Sequence, residues 1–419
     1  MEVSLIRNRL CKAQEFSFLL GVFFLPIYQT YNHWFLGIFL GVSFFVYIFN
    51  KDKRNLVLTY RIPLFIVFLL FLIKLTGLLH ALNFSSGLKE VSRALPFFLY
   101  PIAIVTMSNK NLDHKFFEKR VFYALVLGCL VSAFICWGNV VSTLQPNDIP
   151  ANQLFGWKKS GSYLTEILDL HPPYLGLLIV ASLLFLLKQV FFEKEKSKLW
   201  YGIHILSSLI LFLFLFNITA RNALFYFILI IVSFIIIQKR WKLLIFPAIL
   251  CVVFSIIIWK HPSQYYRLKM IDMLGFSKSD KVSDKRFVRL QASYNAFKLN
   301  PILGAGLGYD NELRMEQYKI LNFEEAYKRE HNSHNQFFEY LVSAGIIGGI
   351  VFVFVFLYFG YFLFKNRQWF YLILLINIFV STLTESTFER VLGIQYFSIL
   401  IGLSILAISS KQLDNGARK

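Results

Sequence analysis

Charged residues are scarce in this sequence of 419 amino acids. Asp, Glu, Lys and Arg together make up 16% of the chain, whereas hydrophobic residues make up 57% and the mean hydropathy is +0.57. Ordinary soluble domains carry about 25% charged residues. The composition therefore excludes a typical soluble domain and indicates a chain that needs lipid as its solvent.

Cysteine is also scarce, and the few cysteines form no motif. The four of them, Cys11, Cys129, Cys136 and Cys251, lie in or beside apolar segments and lack the spacing of a metal site. We interpret them as packing residues.

Acidic residues are outnumbered by basic ones, with 24 Asp and Glu against 43 Lys and Arg and a formal charge of +19. Nucleic-acid binding is one explanation of such an excess. Much of it, however, lies in short connections between apolar segments, where the cytoplasmic loops of membrane proteins carry Lys and Arg. We therefore expect membrane lipid as a partner and no nucleic acid.

Apolar segments near the length of a bilayer crossing recur along the chain. We predict an all-α polytopic membrane protein whose residues 1–419 form a single transmembrane domain. About twelve spans are predicted, at 15–31, 33–50, 62–82, 95–108, 121–142, 172–188, 200–217, 222–238, 243–259, 336–364, 369–384 and 391–409.

Lys and Arg fall on every second connection between these spans, for example at Lys51, Lys53 and Arg54. This alternation predicts that both termini are cytoplasmic. The opposite, outward face then receives the connections 143–171, 219–222, 260–335 and 385–390. The large loop 260–335, between the ninth and tenth spans, is expected to carry the chemistry.

Two helices are predicted in the large loop. Phe287, Leu290, Tyr294 and Phe297 recur at spacings of three and four, which indicates an amphipathic helix along the membrane surface over 286–299. The second stretch, 310–329, is strongly charged, and we expect it to be solvated.

Asn300-Pro301 ends the first of these helices, and a glycine-rich segment follows it. Gly304, Gly306 and Gly308 have no strand-to-helix context and no following Lys-Ser/Thr, so we interpret them as turns and not as a phosphate-binding loop.

A histidine-containing motif, His331-Asn332-Ser333-His334-Asn335-Gln336, stands where the large loop meets the next span, and Gly345-Ile346-Ile347-Gly348 follows it. A histidine at the membrane boundary suits a general base, because its ordinary pKa lies close to neutral pH. The alternative is a polar cap on a helix start, with Asn332 or Ser333 as the capping residue.

Several isolated cations also stand out. Arg221 separates two apolar runs and has no acidic neighbour in sequence, which suits either a snorkelling anchor or a phosphate clamp. Arg286 and Arg289 offer a second clamp or are simply solvated. Lys74 and His204 lie inside predicted spans without an identifiable partner, and intramembrane ionisable residues are functional candidates.

Three motifs together resemble those of the O-antigen ligase and O-antigen polymerase superfamily of bacterial membrane glycosyltransferases. The segment Thr219-Ala220-Arg221-Asn222-Ala223 is similar to the family's Ser-Arg-Gly turn, with alanine and asparagine in place of serine and glycine. His334-Asn335-Gln336-Phe337-Phe338-Glu339, with the later Gly-Ile-Ile-Gly, looks like the family's His-Asn-x-aromatic-Leu-Gln segment and its glycine-containing tail. The resemblance covers about residues 205 to 390.

The third motif lies in the large loop. Arg286 precedes Pro301-Ile302-Leu303-Gly304-Ala305-Gly306 by fifteen residues, which resembles the family's arginine before Pro-hydrophobic-hydrophobic-Gly-x-Gly. The family's tryptophan is replaced by Leu290, and Arg289 competes with Arg286 for the arginine's role.

The resemblance implies a glycosyltransferase C-like fold in the bacterial inner membrane. It implies transfer of a glycan from undecaprenyl pyrophosphate to a hydroxyl acceptor on the periplasmic face. His334 is then the catalytic base, and Arg221 and Arg286 neutralise the pyrophosphate leaving group without a metal or another cofactor. The residues expected to bind substrate are Arg289, His331 and Asn335.

Three acceptors remain open. A ligase joins the finished O-antigen to lipid A core, whereas a polymerase joins repeat units to each other on a growing glycan. A related enzyme in the superfamily glycosylates protein hydroxyls, and no feature of this chain excludes that acceptor. The basic loop favours an anionic core acceptor and hence a ligase.

A transporter of lipid-linked sugars is the alternative from another class. It should show paired halves and helices broken at mid-membrane. In this sequence the polar residues instead gather on one face, which disfavours a transporter.

Overall fold

The computed structural model describes residues 2–108, 114–143, 161–193, 197–218, 221–237 and 285–416, together with positions 239, 241 and 252. Over these ranges the chain is helical and has no β-strand, so the predicted all-α class is confirmed. The predicted span 243–259 apart from residue 252, the loop residues 260–284 and the motif residues Thr219 and Ala220 lie outside the described residues.

Two compact units divide the helices. One contains Met1–Leu25, Gln29–Ala124 and Asp284–Lys419, and the other contains Pro26–Tyr28 and Leu125–Ser283. In chain order the described helices are α1 (Glu2–Phe24), α2 (Gln29–Phe49), α3 (Lys51–Thr59), α4 (Arg61–Leu78), α5 (Phe84–Ala94), α6 (Pro96–Val105), α7 (His114–Thr143), α8 (Ser162–Thr165), α9 (Pro172–Phe192), α10 (Lys198–Asn217), α11 (Arg221–Ile237), α12 (Lys285–Leu299), α13 (Asp310–Ile320), α14 (Glu324–Lys328), α15 (Gln336–Lys365), α16 (Trp369–Thr382) and α17 (Val391–Gly416), with short 3-10 helices at Glu166–Leu168 and Thr387–Glu389.

Several of these helices have the length and composition of membrane spans, which confirms a polytopic membrane protein. In the described ranges seven qualify: Gln29–Phe49, Arg61–Leu78, Lys115–Ser142, Pro172–Phe192, Lys198–Asn217, Gln336–Lys365 and Val391–Ser409. Two shorter apolar helices, Asn222–Ser233 and Trp369–Thr382, match two further predicted spans. The total of about twelve spans stays a prediction.

Prolines shorten two of the predicted spans. The helix in the predicted span 95–108 begins at Pro96 and has ten residues, so it measures about 15 Å against a hydrocarbon core of about 30 Å. The predicted span 15–31 is interrupted because α1 ends at Phe24 and a turn containing Pro26 follows. Proline lacks the N–H that a continuing helix needs.

Helix α17 forms the centre of the first unit, and most of its side chains over residues 391–409 are buried. It packs on α6 through aromatic rings. The ring of Phe97 lies 5.8 Å from that of Phe397 and 5.1 Å from that of Phe388, in edge-on contacts. Because lipid is as apolar as these side chains, close packing and ring geometry hold the helices together.

Helix α15 is broken at Ala344 and Gly345, whose backbone dihedrals are not helical. The freed backbone groups pair with the glycine-rich segment that follows α12. The N–H groups of Ala305 and Gly306 donate to the carbonyls of Val342 and Ser343 at 2.8 and 3.0 Å. The N–H of Ile346 donates to the carbonyl of Pro301 at 2.9 Å. Non-helical backbone inside a membrane protein needs such pairing.

Glycine is required on both sides of this contact. Gly304 has φ +75°, and a Cβ there would lie 2.4 Å from the backbone nitrogen of Ala344. Gly345 has φ +64°, and a Cβ there would lie 2.2 Å from the carbonyl oxygen of Ile302. The interpretation of the glycines as turns is therefore confirmed.

The predicted loop helix over 286–299 is confirmed as α12. The second stretch divides into α13 and α14, and a cluster of buried residues joins all three helices: Ala292, Met315, Tyr318 and Ala326. The expectation that 310–329 is solvated is wrong for α13, where Asp310, Leu313, Arg314 and Tyr318 are buried. Burial was not expected from the charged sequence. Arg314 is buried because it pairs with Glu339 inside the protein, whereas Glu312 and Glu316 of the same helix are exposed.

Candidate active site

His334 and Glu385 form a hydrogen-bonded pair. The imidazole Nδ1 of His334 lies 2.9 Å from Oε2 of Glu385. Because a carboxylate only accepts, Nδ1 carries the proton and donates it, and Nε2 is the nitrogen that can accept a proton. The His334 side chain is 24% exposed and that of Glu385 9% exposed. The pair has the arrangement of a general base oriented by a carboxylate.

The backbone at His334 is held in an uncommon conformation. Its φ is +53°, in the left-handed region that residues other than glycine rarely adopt. The N–H of His334 donates to the side-chain oxygen of Asn332 at 3.2 Å. Such conformations persist where the surrounding structure fixes them, and they are frequent at functional sites.

Asn335, and neither Asn332 nor Ser333, caps the helix that follows. Its side-chain oxygen accepts a hydrogen bond from the N–H of Phe338 at 3.3 Å. Its Nδ2 donates to the carbonyl of Leu383 at 3.0 Å. The amide therefore joins the start of α15 to the chain just before Glu385.

Phe388 anchors the segment that carries Glu385. Its ring packs among the rings of Phe97 and Phe397 in the core of the unit. Its N–H donates to the side-chain oxygen of Gln336 at 2.6 Å, and Nε2 of Gln336 donates to Glu389 at 3.1 Å.

A buried ion pair lies directly beneath the motif. The Arg314 guanidinium donates to Oε2 of Glu339 at 2.6 Å, and both side chains are almost completely buried. The carboxylate of Glu339 holds the pKa of Arg314 above its ordinary value. The other oxygen of Glu339 accepts hydrogen bonds from Ser333 and Ser386.

Lys74 has two partners that the sequence did not suggest. Its ammonium lies 3.3 Å from Glu90 and 3.2 Å from Glu389. Asp310 is buried nearby and accepts the N–H of Gly308 at 3.1 Å. Burial, with a smaller contribution from Glu90, raises the pKa of Asp310 to about 8. The network explains how an intramembrane lysine is tolerated.

His204, the other intramembrane candidate, is bonded within its own helix. Its Nδ1 contacts the carbonyl oxygen of Trp200.

Arg289 and Arg286 differ in their surroundings. Arg286 is exposed. Arg289 is half-buried, and its Nε is buried without a hydrogen-bond partner in the part of the chain that the structure describes. Burial lowers the pKa of Arg289, although the charge of Glu385 among others opposes the shift.

His331 lies beside His334, with ring centroids 6.3 Å apart. Its pKa is lowered by burial first, and then by the charges of Arg289 and His334. The charge of Arg289 therefore acts on His331.

Arg221 is the first residue of α11, and the turn that the motif predicts before it lies outside the described residues. The side chain of Arg221 is outside what the structure describes, so the predicted clamp of Arg221 and Arg286 stays a prediction.

Among the residues described, no group of three His, Cys, Asp or Glu is arranged to hold a metal ion. Metal-independent transfer stays a prediction.

Sequence reasoning missed the acidic partners of the site. Glu385 and Glu389 lie on the connection 385–390, which is predicted to lie on the outward face. Two acids on the same face as His334 indicate candidate acidic partners for the base. Glu339 and Arg314 gave no such signal, because their pairing depends on the folding of α13 against α15.

A comparison with known protein families supports this interpretation of the motifs. Residues 206–353 match the family described as O-Antigen ligase. No curated protein matches the chain. The match covers about a third of the chain and includes Arg221, Arg286, Arg289 and the segment 331–348, whereas Glu385 lies beyond it. It confirms the resemblance to the O-antigen ligase and polymerase superfamily and supports an enzyme of O-antigen processing that acts on lipid-linked glycans.

Proposed function

We propose that this protein is an O-antigen ligase-type glycosyltransferase. It moves a glycan from undecaprenyl pyrophosphate to a hydroxyl of lipid A core on the periplasmic face of the inner membrane, and both of its termini are cytoplasmic. The observation that carries the proposal is the His334–Glu385 pair, which provides an oriented base in the segment where the family match and the loop motif coincide.

Transfer proceeds as a single displacement. The acceptor hydroxyl gives its proton to Nε2 of His334 while its oxygen bonds to the anomeric carbon. The bond between that carbon and the phosphate oxygen breaks, and the electron pair leaves on undecaprenyl pyrophosphate. Glu385 stabilises the imidazolium that forms, as the acid of a catalytic triad does. The anomeric configuration is inverted, and no covalent enzyme intermediate is needed.

Arginines stabilise the departing pyrophosphate. A guanidinium fork matches phosphate oxygens and remains charged at all working pH values. Arg221 and Arg286 are the arginines that the family motifs select. Arg289 is a stronger candidate than Arg286 for the loop. Its Nε is buried and has no hydrogen-bond partner among the described residues, and its charge acts on His331 and Glu385. These cations take the place of a metal.

His331 and Asn335 act beside the base. The ring of His331 lies edge-on to that of His334, and we assign His331 to orienting the acceptor beside the base. Asn335 is engaged through its side-chain oxygen and through Nδ2, so we assign it to holding the histidine segment in place.

The acceptor separates a ligase from a polymerase, and we favour the ligase because arginines on α12 suit an anionic core acceptor. A transporter would use the break in α15 to bind its substrate. In this protein the backbone groups freed at the break are paired with residues 301–306, which disfavours that use.

The test is transfer by the purified, reconstituted protein. Lipid-pyrophosphate glycan is offered with lipid A core, and separately with a second donor molecule as the rival acceptor. Product on lipid A core that persists in excess EDTA supports the proposal. Product only on the second donor makes the protein a polymerase, and loss of activity with EDTA followed by rescue with magnesium contradicts the arginine assignment.

A further inference from the structure

The carboxylate of Glu339 is the most highly bonded side chain beneath the site. Its Oε1 accepts the backbone N–H of Ser333 at 2.7 Å, the hydroxyl of Ser333 at 2.6 Å and the hydroxyl of Ser386 at 2.9 Å. Its Oε2 accepts from Arg314 at 2.6 Å. The residue is 1% exposed, so these four bonds form out of contact with water.

The two serines have a special place in the chain. Ser333 directly precedes His334, and Ser386 directly follows Glu385. One buried carboxylate therefore joins the two segments that carry the two members of the pair, although these segments are about fifty residues apart in sequence. The two serines that Glu339 binds are each one residue away from a member of the His334–Glu385 pair.

We propose that Glu339 is a positioning residue that sets the distance and orientation of His334 relative to Glu385. It does not touch the reacting atoms. The proposal rests on the proposed function, since it concerns the base of that reaction. Other bonds between the segments, from Asn335 to Leu383 and from Gln336 to Phe388, lie on either side and restrain the same approach.

A negative carboxylate is needed for this arrangement. An amide at position 339 has one acceptor oxygen in place of two, and its NH2 group would face either the Arg314 guanidinium or the backbone N–H of Ser333, both of which can only donate. In this chain Glu339 lies opposite the buried guanidinium of Arg314. The ion pair supplies an ionised acceptor for both serines.

The charges around the pair decide what a pH profile will report. Glu385 faces His334 on its Nδ1 side, and His331 lies beside the ring with the charge of Arg289 behind it. Around Glu339 the ionisable groups are Arg314, Glu389 and Tyr318.

A carboxylate at Nδ1 stabilises the protonated imidazole. If the segment of Glu385 shifts away, the acidic limb of kcat/KM moves to lower pH.

The decisive variant is Ser386→Ala, which removes the bond to the Glu385 segment without leaving a buried charge unpaired. Glu339→Gln is the stronger change. Ser343→Ala is the matched control, because Ser343 is a buried serine of the same helix whose hydroxyl bonds to the backbone carbonyl of Glu339 and not to its carboxylate.

We expect kcat to fall roughly tenfold for Ser386→Ala and about a hundredfold for Glu339→Gln, with KM nearly unchanged, since misplacement by about 1 Å costs this much. The acidic limb of kcat/KM should move to lower pH in both variants and stay in place in Ser343→Ala. A fall in kcat with an unmoved limb, matched by a smaller folded fraction, would overturn the proposal, as would wild-type behaviour of Ser386→Ala.

A second readout needs no turnover. Diethyl pyrocarbonate modifies neutral imidazole, and mass spectrometry follows its reaction with His334 as a function of pH. The midpoint should move to lower pH in Ser386→Ala and not in Ser343→Ala. If the wild-type protein transfers no glycan but this shift is found, the proposed function fails and the positioning role stands. If transfer is found without the shift, the positioning role fails alone.

Discussion

Replacing Glu385 by glutamine tests the catalytic pair by removing one charge at nearly constant shape. In the native protein the carboxylate accepts the Nδ1–H of His334 at 2.9 Å, and the Glu385 side chain is 9% exposed. Water therefore screens the interaction little. The amide can instead donate to Nδ1, which leaves the proton on Nε2 and makes the base unable to accept one.

The magnitude follows from the lost charged hydrogen bond. Hydrogen bonds to charged groups contribute about 1.5–3 kcal/mol, and each 1.36 kcal/mol is about tenfold in rate. Glu385→Gln should therefore lower kcat by about ten- to two-hundredfold, and by more if the reversed tautomer dominates. KM for the donor should change little, because the carboxylate stabilises charge that forms during transfer.

The assay is the rate of transfer by purified protein at saturating donor and acceptor. Glu316→Gln is the control, since Glu316 is an exposed acid on α13. Equal rates for Glu385→Gln and Glu316→Gln, with both proteins folded, would refute the role of the pair.

The remaining predictions concern the loop arginine, the glycine contact and the buried acid. Arg289→Lys keeps the charge but loses the guanidinium fork, and should slow transfer about tenfold or more. Arg286→Lys should have a smaller effect on the same transfer rate. If Arg286→Lys were the slower variant, Arg286 would be the arginine that binds the pyrophosphate. Gly304→Ala should destabilise the protein by on the order of 1–3 kcal/mol, because the residue has a positive φ and its added Cβ would clash with the broken helix. Thermal unfolding in detergent measures this against Gly37→Ala, whose added Cβ would have no atom within 4 Å among the described residues. Equal melting temperatures of the two variants would contradict the prediction. Burial raises the pKa of Asp310 from 3.8 to about 8, so the folded protein holds a proton that the unfolded chain releases. The contribution of this group to stability is therefore lost as pH rises from about 4 to about 8. Asp310→Asn should flatten this decline in melting temperature with pH, and an unchanged pH dependence would count against the argument.

Apolar periodicity and loop chemistry predicted much of the fold. The long spans at 33–50, 172–188 and 200–217 appear as helices of nearly the same bounds. The length of an apolar segment depends only on consecutive residues, so the sequence alone predicts it. The shortened helix at Pro96 and the break at Gly345 were missed. Both depend on what packs against the helix, and a hydropathy pattern does not carry that information.

Only some residues of the candidate site stand out in the sequence, because only some of them have an unusual local context. His334 stood out because a histidine at a membrane boundary in a polar motif is locally unusual. Glu385 and Glu339 did not, since a carboxylate becomes informative only when folding places it against a particular partner. Substrate binding by Asn335 stays a prediction, and its amide also caps α15 and bonds to the carbonyl of Leu383. These contacts are visible only in three dimensions.

The most direct measurement is the transfer rate of His334→Ala in reconstituted membranes. His33→Ala, at an exposed histidine of α2 in the same unit, controls for insertion and folding. The account predicts that His334→Ala inserts and unfolds like the wild-type protein yet transfers no detectable glycan, while His33→Ala remains active. Transfer by folded His334→Ala at the rate of the His33→Ala control would show that the base lies elsewhere.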